Sequence, residues 1–296
     1  MNQNITSIIP CFNEENTIKQ VVEGVFKYSD TVIVINDNSS DKSAVILKEL
    51  NDFFKDKLIV LTNDKNMGIG SSMKRGLLKA QEIESKIIIK IDGDAQHIPE
   101  DIPNFLAILN KENIDFVKGN RFLLNQYLTS MPFIKLVGNL IVTNLQKIIS
   151  GNYAISDPNN GFLAFKSHIF EMIDINKLKN DYFFENSLLI NVSAHNYTIR
   201  EVGIKTIYNE EKSSIPTFRA ALKTIPTFFK LLFLKNSIRA RYNLSINSLV
   251  FFLFWPILLL NLFLNFQNLW ITLALMIFIY ILIDLLNFTQ TENNAD

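Results

Sequence analysis

The 296-residue chain has a single cysteine, Cys11, which excludes a disulfide-stapled scaffold. It has no excess of either charge, because 29 Lys and Arg are matched by 29 Asp and Glu. A general nucleic-acid binder draws its affinity from a basic surplus that neutralises phosphates, and that surplus is missing. A disordered chain is poor in apolar residues and rich in net charge, whereas this one is 48% hydrophobic. Met1–Ile5 has no basic segment and no long apolar run, so no secretory signal peptide is expected ahead of the first strand. Charge is also absent locally: Tyr242 to Ile283 is 42 residues without one Lys, Arg, Asp or Glu. Just before it, Lys212, Arg219, Lys223, Lys230, Lys235, Arg239 and Arg241 form a basic stretch with no acid.

What is present upstream is an alternation. Ile5–Pro10, Thr31–Ile35, Lys57–Leu61, Lys86–Ile91 and Asp115–Lys118 are apolar, β-branched runs that read as strands. Amphipathic stretches at Thr17–Tyr28, Lys42–Phe54, Gly70–Glu84 and Pro99–Leu109 separate them and read as helices. Units of about 30 residues built this way predict an α/β domain with a mostly parallel sheet. Ligands of such sheets lie beyond the carboxyl ends of the strands. The loops there, Cys11–Glu15, Asn36–Asp41, Asn63–Gly70 and Asp92–Pro99, are rich in Asn, Asp, Ser, Gly or Glu.

The uncharged tail predicts two membrane spans, Ile246–Leu264 and Leu269–Leu286, each about the length that crosses hydrocarbon. Asn265–Asn268 is the polar turn between them. Basic residues beside a span stay on the cytoplasmic side, so the preceding domain is expected there. Pro216–Leu234 mixes Phe, Leu and Ile with Arg219, Lys223 and Lys230, a composition suited to a helix lying among lipid headgroups. The expected divisions are a catalytic domain over 1–211, a juxtamembrane segment over 212–245, a hairpin over 246–288 and a tail over 289–296.

The sharpest chemical signal is KIIIKIDGDAQHIP at 86–99. A buried strand runs into Asp92-Gly93-Asp94, two carboxylates one residue apart at a strand end. Mg²⁺ and similar hard cations take one or two carboxylates and complete their shell with substrate phosphates. Gly93 permits close backbone approach. His97 reads as a structural neighbour of this motif.

Eight segments in order resemble the family 2 glycosyltransferases of GT-A fold, specifically the dolichol-phosphate mannose synthase-like branch of polyprenyl-phosphate glycosyltransferases. They are IIPCFNEENTI at 8–18, VIVINDNSSD at 32–41, NMGIGSSMKRGL at 66–77, KIDGDAQHIPED at 90–101, VKGNRF at 117–122, DPNNGFLAF at 157–165, YFFEN at 182–186 and EVGIKTIYNEEKSS at 201–214. The resemblance implies that Pro10, Phe12 and Glu14 border the nucleotide and that Asp37 recognises the base, with Asn36 in place of a first acid. Asn66, Gly68 and Gly70 would line the nucleoside, with Ile69 where relatives often carry Lys. Asp92, Asp94 and Gln96 would hold Mg²⁺ or Mn²⁺ on the donor diphosphate. Arg121, Lys135, Lys212 and Ser213 would meet an acceptor phosphate. Asp157, Gly161 and Glu185 would lie by the donor sugar, positioning it or acting as base.

The acceptor then decides the chemistry. A sugar hydroxyl needs a general base, whereas a phosphate monoester is already anionic and needs positioning and charge relief. The expected activity is inverting, metal-dependent transfer of a hexose-type sugar from a UDP- or GDP-sugar to a polyprenyl phosphate, at the bilayer surface. The alternatives are transfer to a glycan or glycolipid hydroxyl, a non-catalytic membrane scaffold with this fold, and a nucleotidyltransferase. Oligomeric state is unreadable from the residues.

Overall fold

The computed structural model describes residues 4–111, 113–124, 147, 152, 155–158, 160–207, 230, 232–238, 277–279 and 281–282. The expected alternation is realised as β1 (Ile5–Cys11), α1 (Ile18–Val25), β2 (Thr31–Asn36), α2 (Ser43–Phe54) and β3 (Leu58–Thr62). It continues through α3 (Ile69–Glu82), β4 (Ile87–Lys90), α4 (Ile102–Leu109) and β5 (Phe116–Asn120). Three further elements close the domain: β6 (Leu163–Lys166), α5 (Phe184–Ala194) and β7 (Ile199–Gly203). The seven strands form one sheet in the order β3-β2-β1-β4-β6-β5-β7. All neighbours are parallel except β6, which runs antiparallel to both β4 and β5.

Successive strand residues face opposite sides, so a strand covered on both faces must be apolar throughout. In β1 and β2, Ile9, Val32 and Val34 point into one core with Val21 and Val22 of α1, Leu47 of α2 and Phe105 of α4. Ile8, Ile33 and Ile35 point into the other, with Met73 and Leu77 of α3 and Leu188 of α5. The result is a three-layer sandwich of helix, sheet and helix. Each fully buried Val, Leu, Ile or Phe contributes about 1.5–3 kcal/mol to holding the layers together. Helix α5 departs from the amphipathic rule, because every one of its residues is buried, including Glu185, Asn186 and Asn191. Pro99 opens the fourth helical segment as expected, through a 3-10 turn at Pro99–Asp101 that leads into α4.

Residues 232–238 are helical, and Leu232 and Leu234, like Phe183, pack against Ile190 of α5. Lys235, one of the seven residues of the basic stretch, is fully buried there. Among the described residues no helix is long and apolar enough to cross a membrane. The expected hairpin lies outside them apart from helical Ile277, Phe278, Ile279, Ile281 and Leu282.

Candidate active site

Two groups of residues gather beyond the carboxyl ends of the strands. The first surrounds Asp37, just past β2. Its Oδ1 accepts from Asn63 Nδ2 (2.6 Å) and the Met67 N–H (2.8 Å), and its Oδ2 accepts from the Gly68 N–H (2.8 Å). The carboxylate is therefore the organiser of the 63–68 loop. Asn63 is itself held: its amide also donates to Ser72 Oγ (3.1 Å), and its oxygen accepts from Arg75 Nη1 (2.7 Å). Gly68 has φ +83, a left-handed conformation that glycine adopts at no steric cost. Asn66 is exposed and its Oδ1 accepts from the Gly68 N–H (3.2 Å). Gly70 packs against the backbone of Lys179 and Asn180, where a Cβ would collide. In this structure its smallness serves that close approach at the start of α3. Phe12 is exposed and Pro10 and Glu14 are half-buried at the mouth of β1, beside Gly93, whose carbonyl accepts from Thr17 Oγ1 (2.8 Å).

The second group is ionic and lies where β4, β5, β6 and α5 converge. Lys90 and Lys118 are each opposite Leu163 of β6, so both ammonium stems enter the same face of the sheet. Lys90 Nζ stands 2.8 Å from Asp92 Oδ1 and 2.8 Å from Glu185 Oε1 of α5. Burial opposes the ammonium, yet Asp92 and Glu185 outweigh it and raise its pKa above the ordinary lysine value. Burial likewise opposes the Asp92 carboxylate, but Lys90, with His97 and Lys118, holds it below the usual range. Gly161 lies directly against this pair, and a Cβ there would collide with Asp92 Oδ2 and Lys90 Nζ. His97 Nδ1 is 3.7 Å from Asp92 Oδ2, but burial pushes its pKa down to about 4, so the ring is neutral at pH 7. It packs on Phe162 and lies 3.4 Å from Asn160 Nδ2.

Asp94 and Gln96 are half-buried at the rim, and Asp94 Oδ1 accepts from the Gln96 N–H (2.9 Å). Ala95 between them has φ +57, a conformation rare for a residue with a Cβ and common where function fixes the backbone. The loop is tied to the strand exit of β7: Gln96 O accepts from the Ile207 N–H (3.0 Å) and Asp101 Oδ2 from the Lys205 N–H (2.9 Å).

Arg121 follows β5. Its Nε donates to Asp157 Oδ2 (2.7 Å) and its Nη2 to Asp157 Oδ1 (2.7 Å), a two-point fork on a carboxylate that is almost wholly buried. The Arg121 N–H adds a third bond to Oδ2 (3.1 Å). Lys118 Nζ donates to the Asn160 carbonyl (2.6 Å). Thus the structure brings Asp92, Asp157, Gly161, Glu185 and Arg121 into one neighbourhood. Lys135, Lys212 and Ser213 lie outside the described residues. Sequence reasoning missed Lys90, Lys118, Asn63, Asn160 and Glu201. The signal available for the first two was a lysine inside or just after an all-apolar strand, a position where a chain with covered sheet faces cannot leave it in water.

Among the described residues no three His, Cys, Asp or Glu side chains cluster closely enough to cage a metal. Asp94 and the Gln96 amide offer hard oxygen donors at the rim, and Asp92 is shared with Lys90.

Comparison with known proteins places this α/β domain. The glycosyl transferase family 2 profile matches residues 6–173. A UDP-N-acetylglucosamine–dolichyl-phosphate N-acetylglucosaminyltransferase of Methanococcus voltae is 30% identical over 77% of this chain and 94% of its own. An uncharacterised protein of Methanocaldococcus jannaschii is 32% identical over 76% of this chain and 88% of its own. The crystal structure of glucosyl-3-phosphoglycerate synthase from Mycobacterium tuberculosis, with Mn²⁺, UDP and glucosyl-3-phosphoglycerate, aligns with a TM-score of 0.56 at 18% identity, over 79% of this chain and 80% of that one. The chain belongs to glycosyl transferase family 2 and has its GT-A-like fold.

Proposed function

We propose that this glycosyltransferase moves a hexose-type sugar from a UDP- or GDP-sugar to a polyprenyl phosphate, with inversion at the anomeric carbon. The observation that carries the reading is that neither candidate base is at liberty. Asp157 is forked by Arg121 and Glu185 is paired with Lys90. A carboxylate already bonded to a fixed cation has fewer lone pairs left to receive the proton of an incoming hydroxyl. A hydroxyl acceptor would need such a base; a phosphate monoester arrives already ionised, with a second pKa of about 6. The name of the Methanococcus voltae relative, a dolichyl-phosphate sugar transferase, supports the same acceptor class.

In this reading Asp94 and Gln96, together with Asp92, would hold Mg²⁺ or Mn²⁺ for the donor diphosphate. The cation supplies charge neutralisation on the nucleoside diphosphate that leaves. Asp37 keeps the 63–68 loop in place for the nucleoside. Arg121, steadied by Asp157, would meet the acceptor phosphate, helped by Lys135, Lys212 and Ser213. Positioning and relief of repulsion between two anionic substrates are the main work of the protein.

Residues 212–245 as a juxtamembrane segment and 246–288 as a membrane hairpin complete the proposal. The apolar side chains of Ile277, Phe278, Ile279 and Leu282 are exposed on their helical stretch, as lipid-facing residues would be. Packing of residues 232–238 on α5 would hold the catalytic domain close to the bilayer.

Membranes carrying the protein, Mg²⁺ or Mn²⁺, polyprenyl phosphate and a panel of radiolabelled UDP- and GDP-sugars test this. Metal-dependent label in the organic phase is expected from one donor, and Asp94→Ala should lower it by on the order of 10²–10³-fold. Label transferred to an added glycan and none to lipid would overturn the acceptor assignment.

A further inference from the structure

Glu201 lies on β7 in register with Lys118 of β5, and the family profile ends before it. Its carboxylate is met by four neutral donors. Oε1 accepts from the N–H groups of Ser156 (2.9 Å) and Asp157 (3.1 Å). Oε2 accepts from Asn120 Nδ2 (2.7 Å) and Ser156 Oγ (3.1 Å). Two consecutive backbone N–H groups on one carboxylate oxygen fix the direction of the chain at that point, and the second of them belongs to the residue that forks Arg121. On the other flank, Asn120 directly precedes Arg121. Its amide oxygen accepts from the Phe122 N–H (2.7 Å), so both ends of the Asn120 side chain are used. A single charge on β7 therefore ties the segment carrying Arg121 to the segment carrying Asp157, whose side chains then lock to each other.

We propose that Glu201 is a positioning residue for Arg121, holding the guanidinium where the anionic acceptor group must be met. The proposal rests on the reading of Arg121 as the acceptor-phosphate arginine. Glu201 touches no reacting atom; it acts through Asp157 and Asn120.

Glu201→Gln is the informative change. The glutamine oxygen still receives the two backbone N–H groups, but its NH₂ faces the Asn120 NH₂. Asn120 cannot flip to accept from it without giving up the Phe122 N–H. Volume is conserved and one arm of the tie is lost. The test is steady-state transfer by the full-length protein, varying polyprenyl phosphate and nucleotide sugar separately, with thermal unfolding measured alongside. The KM for polyprenyl phosphate should rise about tenfold, the equivalent of one good hydrogen bond. The KM for the nucleotide sugar should change by less than about twofold, and the unfolding midpoint should fall by no more than the roughly 2–10 °C that one unmet buried donor costs. Glu201→Gln added to Arg121→Ala should cost nothing further, as expected of residues acting in one chain. A parallel rise of both KM values, a fall in kcat alone, or full additivity with Arg121→Ala would overturn the proposal. If Arg121→Ala leaves the polyprenyl-phosphate KM unchanged, the acceptor assignment fails on its own. Glu201 is then judged by the same cycle on whichever parameter Arg121→Ala does alter: shared loss upholds it and additive loss ends it.

Discussion

On the β3-β2-β1 side of the sheet, buried polar groups are neutral or are satisfied by neutral donors. Thr6 and Ser85 share a hydroxyl bond (2.6 Å), Ser7 and Ser29 another (2.7 Å), and Asp37 is held by amide and backbone N–H groups. On the β4-β6-β5-β7 side neutral groups such as Asn120 and Asn160 are joined by buried ions, several of them paired with ions: Lys90 between Asp92 and Glu185, Arg121 on Asp157, and Lys118 bonded to the Asn160 carbonyl. In the proposed reading, a nucleoside would present neutral edges and a ribose, for which a rigid neutral frame suffices, whereas two anionic substrates meeting at one carbon would require fixed charge, and fixed buried charge requires partners. The two sides should therefore respond differently when one partner is taken away.

The largest effect is expected at Lys90. In Lys90→Met, Asp92 and Glu185 are left as two carboxylates with no cation between them. Removing one member of a buried ion pair costs about 3–5 kcal/mol, and chemical denaturation should show a loss of that size. Adding Glu185→Gln should recover part of it, because one of the orphaned charges has gone. A loss below about 1 kcal/mol for Lys90→Met would mean that the ionic side behaves like a solvated surface, where pairs are worth little.

Lys118 sharpens the contrast through pH. Burial, opposed by Asp157 and Glu185, pushes its pKa from 10.5 down to about 8. Between those values the unfolded chain holds the proton and the folded chain has released it. The folded state therefore gains stability as pH rises from about 8 to 10.5, by up to about 3 kcal/mol, and the group adds no slope below about 8. The difference in unfolding free energy between the native chain and Lys118→Met, followed from pH 7 to 10.5, should move in favour of the native chain. A flat difference would show that Lys118 keeps its proton, and that the network carries one more positive charge at alkaline pH than its burial allows.

The neutral side was largely legible in the sequence, and the ionic side was not. β1 to β5 and α1 to α4 follow from period and turn chemistry, with ends displaced by one to three residues where helices begin or fray. β6 is a four-residue strand inserted antiparallel between β4 and β5, and no local pattern in LAFK announces its direction. Lys90 reads as a strand-end residue in water, because its partner Glu185 is 95 positions away and only the fold brings them together. Glu201 sits in IREVG, an ordinary half-exposed alternation until Ser156 and Asp157 are folded onto it. The motifs pointed to Asp92, Asp157, Gly161 and Arg121. Which oxygen faces which cation depends on long-range pairing, which spacing along a chain does not encode. Asp37 shows the same limit in milder form: its identity was legible, and its hold on the Met67 and Gly68 N–H groups was not.

The smallest effect is expected where the neutral side is perturbed as a pair. Thr6 on β1 and Ser85 just before β4 are both buried and meet through their hydroxyls. Ser85→Ala leaves the Thr6 hydroxyl without that partner in a place water does not reach, at a cost of about 1–3 kcal/mol. Thr6→Val together with Ser85→Ala removes both hydroxyls and keeps the shape, so the double variant should return to within about 1 kcal/mol of the native chain. Denaturation curves of the two singles and the double give the coupling directly. The ionic side has only a partial route back, because Lys90 serves two carboxylates at once and removing one of them still leaves the other. If the Thr6 and Ser85 losses simply added, the neutral side would be as dependent on its partners as the ionic side. The division of the sheet into a tolerant nucleotide frame and a charge-locked transfer centre would then not hold.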